Sequence, residues 1–260
     1  DDSSFQFEDD LTIFTESVKT RTAHPRKAKQ VRIRTNFGCK DPGSINNGNV
    51  ERLFNSNANG WTSSTKIEST IQTMIDHNIG AATLQETWCI GDYEREIRGF
   101  LVLHHNYNER EPDWTGRERR GVAIILSPRF RKAYERAGSL PPIKTPQDNP
   151  RFKGRFIGVT LRFPNFDSYG KRIKGNSTFF LTSIYHPYEP QHYDDFNDLV
   201  ATLLSQSPPK ATILIGQDIN ADVGTKLTPD SADFSDVLGP HGFDKRNEKG
   251  SQILSLFQTM

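Results

Sequence analysis

Apolar and basic residues alternate in "VRIRT" (31–35), the pattern of a half-buried strand. The run stops at Asn36, and the Gly- and Asn-rich "NFGCKDPGSINNGN" that follows reads as a loop. Ile67, Ile71, Met74 and Ile75 then recur at helical spacing, with Ser63 and Ser64 as candidate N-caps, which predicts a helix over 65–78. Gly80 precedes "AATLQ" (81–85), a short apolar strand that runs into Glu86. Further strands are predicted at 100–104, 121–127, 156–163 and 178–185, separated by Pro-rich loops such as "GSLPPIKTPQDNP". A helix over 193–204 gathers Phe196, Leu199, Val200, Leu203 and Leu204 on one face, and a strand at 211–215 follows it. A last helix is expected from Ser251 to the end. Residues 1–30 lack periodicity and carry charges of both signs, so they read as a disordered tail or linker before one domain over 31–260. Many strands with few helices imply sheets packed face to face and covered by helices.

Composition narrows the classes. The chain has 34% hydrophobic and 25% charged residues and a mean hydropathy of -0.67, and no apolar run approaches the ~18 residues of a membrane helix. No membrane partner is therefore expected. Cys39 and Cys89 are too few for a disulfide framework or a structural zinc site, which points to a reducing compartment. No basic-then-apolar leader is visible, so an intracellular location, cytoplasmic or nuclear, is expected. The net charge of +1 conceals a local excess, with twelve Lys/Arg against five Asp/Glu between Arg110 and Arg155. Such a stretch fits a polyanion partner, and it equally fits a solvated loop face.

The candidate chemistry lies where strands end. Asn36 follows 31–35, Glu86 follows 81–85, Tyr185 follows 178–184, and Asp218 with Asn220 follows 211–215. A single polar residue at a strand end is ordinary; four strands ending this way suggest a shared point. Hard divalent cations take oxygen ligands, commonly one or two carboxylates with water and substrate phosphate. Phosphoryl transfer needs an oriented water and donors for the charge that grows on the phosphate. Asn36 also fits a turn before Phe-Gly, and Tyr185 also fits a core aromatic with a polar tip. Asp222 reads as a cap for the turn around Gly224.

"LQETW" (84–88), "RRGVAIIL" (119–126), "SIYHP" (183–187), "IGQDINADVG" (215–224) and "GPHGFDKRNEKGSQILSLF" (239–257) stand in the order seen in the endonuclease/exonuclease/phosphatase superfamily. The chain resembles in particular the apurinic-type endonuclease domains of non-LTR retrotransposons. That resemblance implies an α/β four-layer sandwich of two mixed β-sheets with flanking helices. It also implies Mg²⁺-dependent phosphodiester hydrolysis, with Mn²⁺ as a substitute, on nucleic acid and specifically DNA. A reverse transcriptase domain would accompany it in the full-length protein. By position, Glu86 would hold the metal with Asn36 beside it, and Tyr185 would contact the scissile phosphate. Asp218 would orient the attacking water, and Asn220 would donate to the phosphate. Arg246 and Asn247 fall in the block that supports the site from a loop.

Two departures from the family pattern stand out. Gln217 is inserted before Asp218, although the Asp218-x-Asn220 spacing survives. The family's closing strand with its Asp, and its final Ser-Asp-His, have no counterpart, so a missing C-terminal part and impaired cleavage are expected. Two other readings stay open: a phosphatase or phosphodiesterase on a small phosphorylated substrate, and a fragment that binds nucleic acid without cutting it.

Overall fold

A computed structural model describes residues 12–17, 29–34, 50–61, 63–107, 120–166, 171–224 and 245–258. Eleven strands and four α-helices are arranged in two sheets among these residues. The strands are β1 Thr12–Ser17, β2 Lys29–Arg34, β3 Val50–Asn57, β4 Ala81–Gln85, β5 Tyr93–Ile97, β6 Phe100–His105 and β7 Val122–Leu126. They continue as β8 Ile143–Lys144, β9 Phe156–Phe166, β10 Arg172–Tyr185 and β11 Thr212–Asp218. The helices are α1 Ser64–Asp76, α2 Pro128–Arg136, α3 Tyr193–Ser205 and α4 Glu248–Gln258. The first sheet has the order β1-β2-β3-β4-β7-β6-β5 and the second β11-β10-β9-β8. Each is mixed: β3/β4 and β10/β11 are parallel, and the remaining pairs are antiparallel.

The two-residue period of the strands decides the layers. On β7, Val122, Ile124 and Leu126 face the second sheet, where they join Ile157, Val159, Leu161 and Leu181 in one core. The alternate residues Ala123 and Ile125 face outward and meet Ile67, Ile71 and Met74 of α1. The outer face of the second sheet, through Phe156, Phe180 and Ile184, packs on Phe196, Val200, Leu203 and Leu204 of α3. Helix, sheet, sheet, helix is the four-layer α/β sandwich that the sequence implied. Strands covered on both faces are buried throughout, which is why β4 and β7 show no alternation in burial.

Five elements escape the sequence reading: β1, β3, β5, α2 and the two-residue β8, which lies in the Pro-rich stretch read as a loop. β3 lies between the expected loop and α1. β5 is a charged strand at the sheet edge, where Glu94, Arg95 and Glu96 are exposed and charge discourages further pairing. α2 starts at Pro128 behind the N-cap Ser127, whose hydroxyl accepts from Phe130 N, and it buries Phe130, Ala133 and Tyr134. β1 and the first residues of β2 fall inside the segment read as a tail.

The sheets come closest where β11 crosses β4. A Cβ at Gly216 would lie 1.9 Å from Thr83 Oγ1 and 2.8 Å from Asn55 Oδ1, so only glycine lets the sheets meet there. Gly216→Ala should cost roughly 1–3 kcal/mol, the usual range for overpacking. Urea unfolding measures it, and an unchanged midpoint would show that the sheets are not packed together at this point.

Candidate active site

Two parallel strand pairs, one from each sheet, end side by side. Asn57 closes β3 opposite Gln85 of β4, and Tyr185 closes β10 opposite Asp218 of β11. Below these ends the inner faces are polar instead of apolar. Gln85 Nε2 donates to Asn55 Oδ1 (3.0 Å) on the neighbouring strand and to Ser183 Oγ (2.9 Å) of the other sheet. Ser183 Oγ donates to Leu84 O, and Asn55 Nδ2 donates to Gln217 O at 3.0 Å. Gln217 therefore sits in register within β11, and the extra residue leaves Asp218 opposite Tyr185.

Above this seam the carboxylates appear. Glu86, buried, accepts from the Tyr185 hydroxyl at 3.0 Å. Asp218 Oδ2 accepts from Asn57 Nδ2 at 2.8 Å, and Asp218 Oδ1 accepts from Asn220 N at 3.1 Å. Asn220, at φ 48, turns the chain back so that its Nδ2 donates to His186 O (3.2 Å). Burial and the adjacent Glu86 carboxylate raise the Tyr185 phenol well above its ordinary range, so it stays a donor. Glu86 (φ 52) and Trp88 (φ 58) both adopt the left-handed backbone, costing roughly 1–3 kcal/mol each. Backbone bonds hold them there: Gly60 N to Glu86 O, Thr87 N to Gly121 O, and Trp88 N to Arg120 O.

Cations surround the pair. Arg155 is buried, donates from Nη1 to Tyr185 O at 3.3 Å, and lies 5.0 Å over the Tyr185 ring. Lys249 of α4 donates to Pro187 O at 2.6 Å and sits 3.9 Å from the Tyr193 ring. Burial pushes Lys249 down to about 8, against the pull of the Asp218 carboxylate. Arg120 is pushed down to about 10, by burial and then by the like charge of Arg155. Arg120 and Lys153 flank Tyr107, at 5.0 and 4.8 Å from its ring centre.

The structure thus brings Glu86, Tyr185, Asp218 and Asn220 together. Asn36 lies outside the described residues. Asn57 is the amide found beside Asp218, and the sequence reading missed it. Its signal is "LFNSNANGW", a strand running into Asn-x-Asn-Gly, the same polar strand end that singled out the others. Arg246 and Asn247 support the Asp222 turn, with Arg246 Nε donating to Val223 O and Asn247 N to Asp222 O.

The donors present fit a hard divalent cation. Glu86 and Asp218 are carboxylates, the oxygen ligands that such a cation takes. Among the described residues no group of three or more His, Cys, Asp or Glu could hold a metal. Two carboxylates without a full cage suit Mg²⁺, which keeps waters and takes substrate phosphate.

No family model matches the sequence, and no curated protein matches it. Among solved structures the chain is similar to the endonuclease domain of TRAS1, a telomere-specific non-LTR retrotransposon. That match has a TM-score of 0.44 and 15% identity over 80% of this chain and 70% of that one. An endonuclease/exonuclease/phosphatase family protein from Leptotrichia buccalis gives 0.40 and 12% over 66% and 67%. The Xenopus laevis APE2 catalytic domain gives 0.39 and 14% over 77% and 65%. At these scores the functional reading rests on the geometry of the site itself.

Two buried histidines give the site region a pH dependence. Burial pushes His104 down to about 4 and His186 to about 3, from an ordinary 6.5. His105, Asp92 and Lys144 lie around His104, while Lys249, Gln217 and Arg155 lie around His186. Below pH 6.5 the unfolded chain binds protons that the folded chain refuses, so stability falls as the pH drops from there toward 4. Asp92 adds to the loss at the acid end. Against the upward push of its burial, bonds from His105 and Lys144 hold it below the carboxylate range. The melting temperature should decline between pH 7 and 4.5, and less steeply in His186→Gln. An identical slope in that variant would remove His186 as a source.

Proposed function

We propose that this protein hydrolyses phosphodiester bonds in nucleic acid with the help of Mg²⁺, for which Mn²⁺ can substitute. The observation that carries this reading is the pairing of Glu86 and Asp218 at one end of both sheets. Each accepts from a neutral donor, Tyr185 or Asn57, and Arg120, Arg155 and Lys249 stand around them. Carboxylates with a ring of cations suit an anionic substrate whose charge is shared between a metal and the protein.

In this reading Glu86 holds the metal, which when bound withdraws charge from the phosphate oxygens. Asp218, steadied by Asn57 and by the Asn220 backbone, orients the attacking water and accepts its proton. The Tyr185 phenol and the second Nδ2 proton of Asn220 donate to the phosphate as charge develops. Asn36 keeps its expected place beside the metal, and Asn57 steadies Asp218. DNA as the preferred nucleic acid, and a companion reverse transcriptase domain, rest on the family resemblance alone. Nucleic acid is favoured over a small phosphate ester by the flanking rim, where Lys153 and Arg120 sit on Tyr107.

Supercoiled plasmid, assayed beside bis(p-nitrophenyl) phosphate, tests the reaction. Mg²⁺-dependent nicking, however slow, should fall by ~10²–10⁴-fold in Asp218→Ala, the usual loss for a positioned acid–base group. Turnover of the small ester alone would favour a small-substrate phosphodiesterase. No turnover of either would overturn the catalytic reading.

The rim makes a separate expectation. Reversing charge at Arg120 and Lys153 should flatten the slope of log affinity against log salt, by about 0.9 for each duplex-DNA phosphate that is no longer neutralised. A slope that does not change would make this face a solvated surface.

A further inference from the structure

We propose that His104 is a positioning residue for Glu86, acting through the hydroxyl of Thr87. The proposal rests on Glu86 being the metal-holding carboxylate, as argued above. Thr87 is fully buried and stands between the left-handed residues Glu86 and Trp88. Its Oγ1 lies 2.7 Å from His104 Nε2, and His104 Nδ1 lies 2.8 Å from Gly91 O. A carbonyl only accepts, so Nδ1 carries the ring proton, Nε2 is the acceptor, and the Thr87 hydroxyl donates. Both ring nitrogens are thereby committed, and the ring is fixed further by stacking on Tyr93 with centroids 4.5 Å apart.

A second interaction closes the clamp from the opposite direction. Gly121 has φ +106, and a Cβ there would lie 2.1 Å from Thr87 Oγ1. The hydroxyl therefore fills the space of a missing side chain while Thr87 N donates to Gly121 O at 3.1 Å. With its neighbour locked at side chain and backbone, Glu86 has one direction in which to present its carboxylate to Tyr185. Burial keeps the His104 ring neutral, since it is pushed down to about 4, so the acceptor is available at neutral pH. His104 reaches the site from the outer face of the first sheet: β6 residues Phe100 and Val102 share that face, and Leu101 and Leu103 face the inner core. It touches neither carboxylate, and its effect on a metal is one of orientation. Groups bonded to a metal ligand itself commonly govern metal affinity by ~10–100-fold, and His104 acts one bond further out, through the residue next to Glu86.

Mn²⁺ titration calorimetry on the full chain tests this, at a temperature where each variant's melting curve shows it folded. Glu86→Gln is the reference. Thr87→Val and His104→Gln should each weaken Mn²⁺ binding by ~10–100-fold. Together they should weaken it no more than the stronger one alone, because both break one hydrogen bond. Thr87→Ser, which keeps the hydroxyl, should restore affinity to within a few-fold of the parent. Unchanged affinity in Thr87→Val and His104→Gln, with Glu86→Gln impaired, would overturn the proposal and leave the site reading intact. Additive losses, or a Thr87→Ser as weak as Thr87→Val, would overturn it too. An ineffective Glu86→Gln would instead sink the site reading on which it stands. If Thr87→Val does not fold, His104→Gln against Thr87→Ser carries the same decision.

Discussion

The hydrogen-bonded seam between the two sheets is the constraint from which the site follows. Most of the interface is apolar and would tolerate sliding, because hydrophobic burial has no direction. Thr83, Asn55, Gln85 and Ser183 would not. Each is at least partly buried, and a buried polar group without a partner costs about 1–3 kcal/mol. Within the first sheet Asn55 Oδ1 accepts from Thr83 Oγ1 and Gln85 Nε2, and across to the second sheet Gln85 Nε2 donates to Ser183 Oγ, Ser183 Oγ to Leu84 O and Asn55 Nδ2 to Gln217 O. Sliding one sheet on the other would break the three cross-sheet bonds together. Gly216 then allows the approach that the bonds require. Gln85 Oε1 remains without a partner, a cost the seam absorbs.

Once the registry is fixed, the strand ends are fixed with it. Parallel pairing sets Asn57 level with Gln85 and Tyr185 level with Asp218, and the seam sets these two levels against each other. Tyr185 then donates to Glu86 and Asn57 to Asp218, while Arg155 and Lys249 donate to the backbone carbonyls of Tyr185 and Pro187.

The backbone around Glu86 shows what such a site costs. Two non-glycine residues in the left-handed region, separated only by Thr87, do not persist unless the surroundings over-determine them. The loop is bonded to the β3 turn, to the start of β7 and to the end of β6, through Gly60, Gly121 and His104.

The sequence by itself determined the elements whose pattern is local. Alternation marked most of β2, short apolar runs marked β4, β6, β7, β9, β10 and β11, and helical spacing marked α1 and α3, because one residue's burial predicts the next within a strand or helix. They also marked Glu86, Tyr185, Asp218 and Asn220, since a polar residue closing an apolar strand is visible along the chain. The signal for α2, a Ser-Pro start with Phe130, Ala133 and Tyr134 at helical spacing, was present but short. Only the tertiary structure decided which strand ends meet. Asn57 and Asp218 are 161 residues apart, and Glu86 and Tyr185 are 99 apart. Nothing local to "NSNANG" distinguishes its Asn from the one at position 36. Arg155, Lys249 and His104 gain their places in the same way. Each lies in an ordinary local sequence, and its chemistry comes from neighbours that folding brings from other strands.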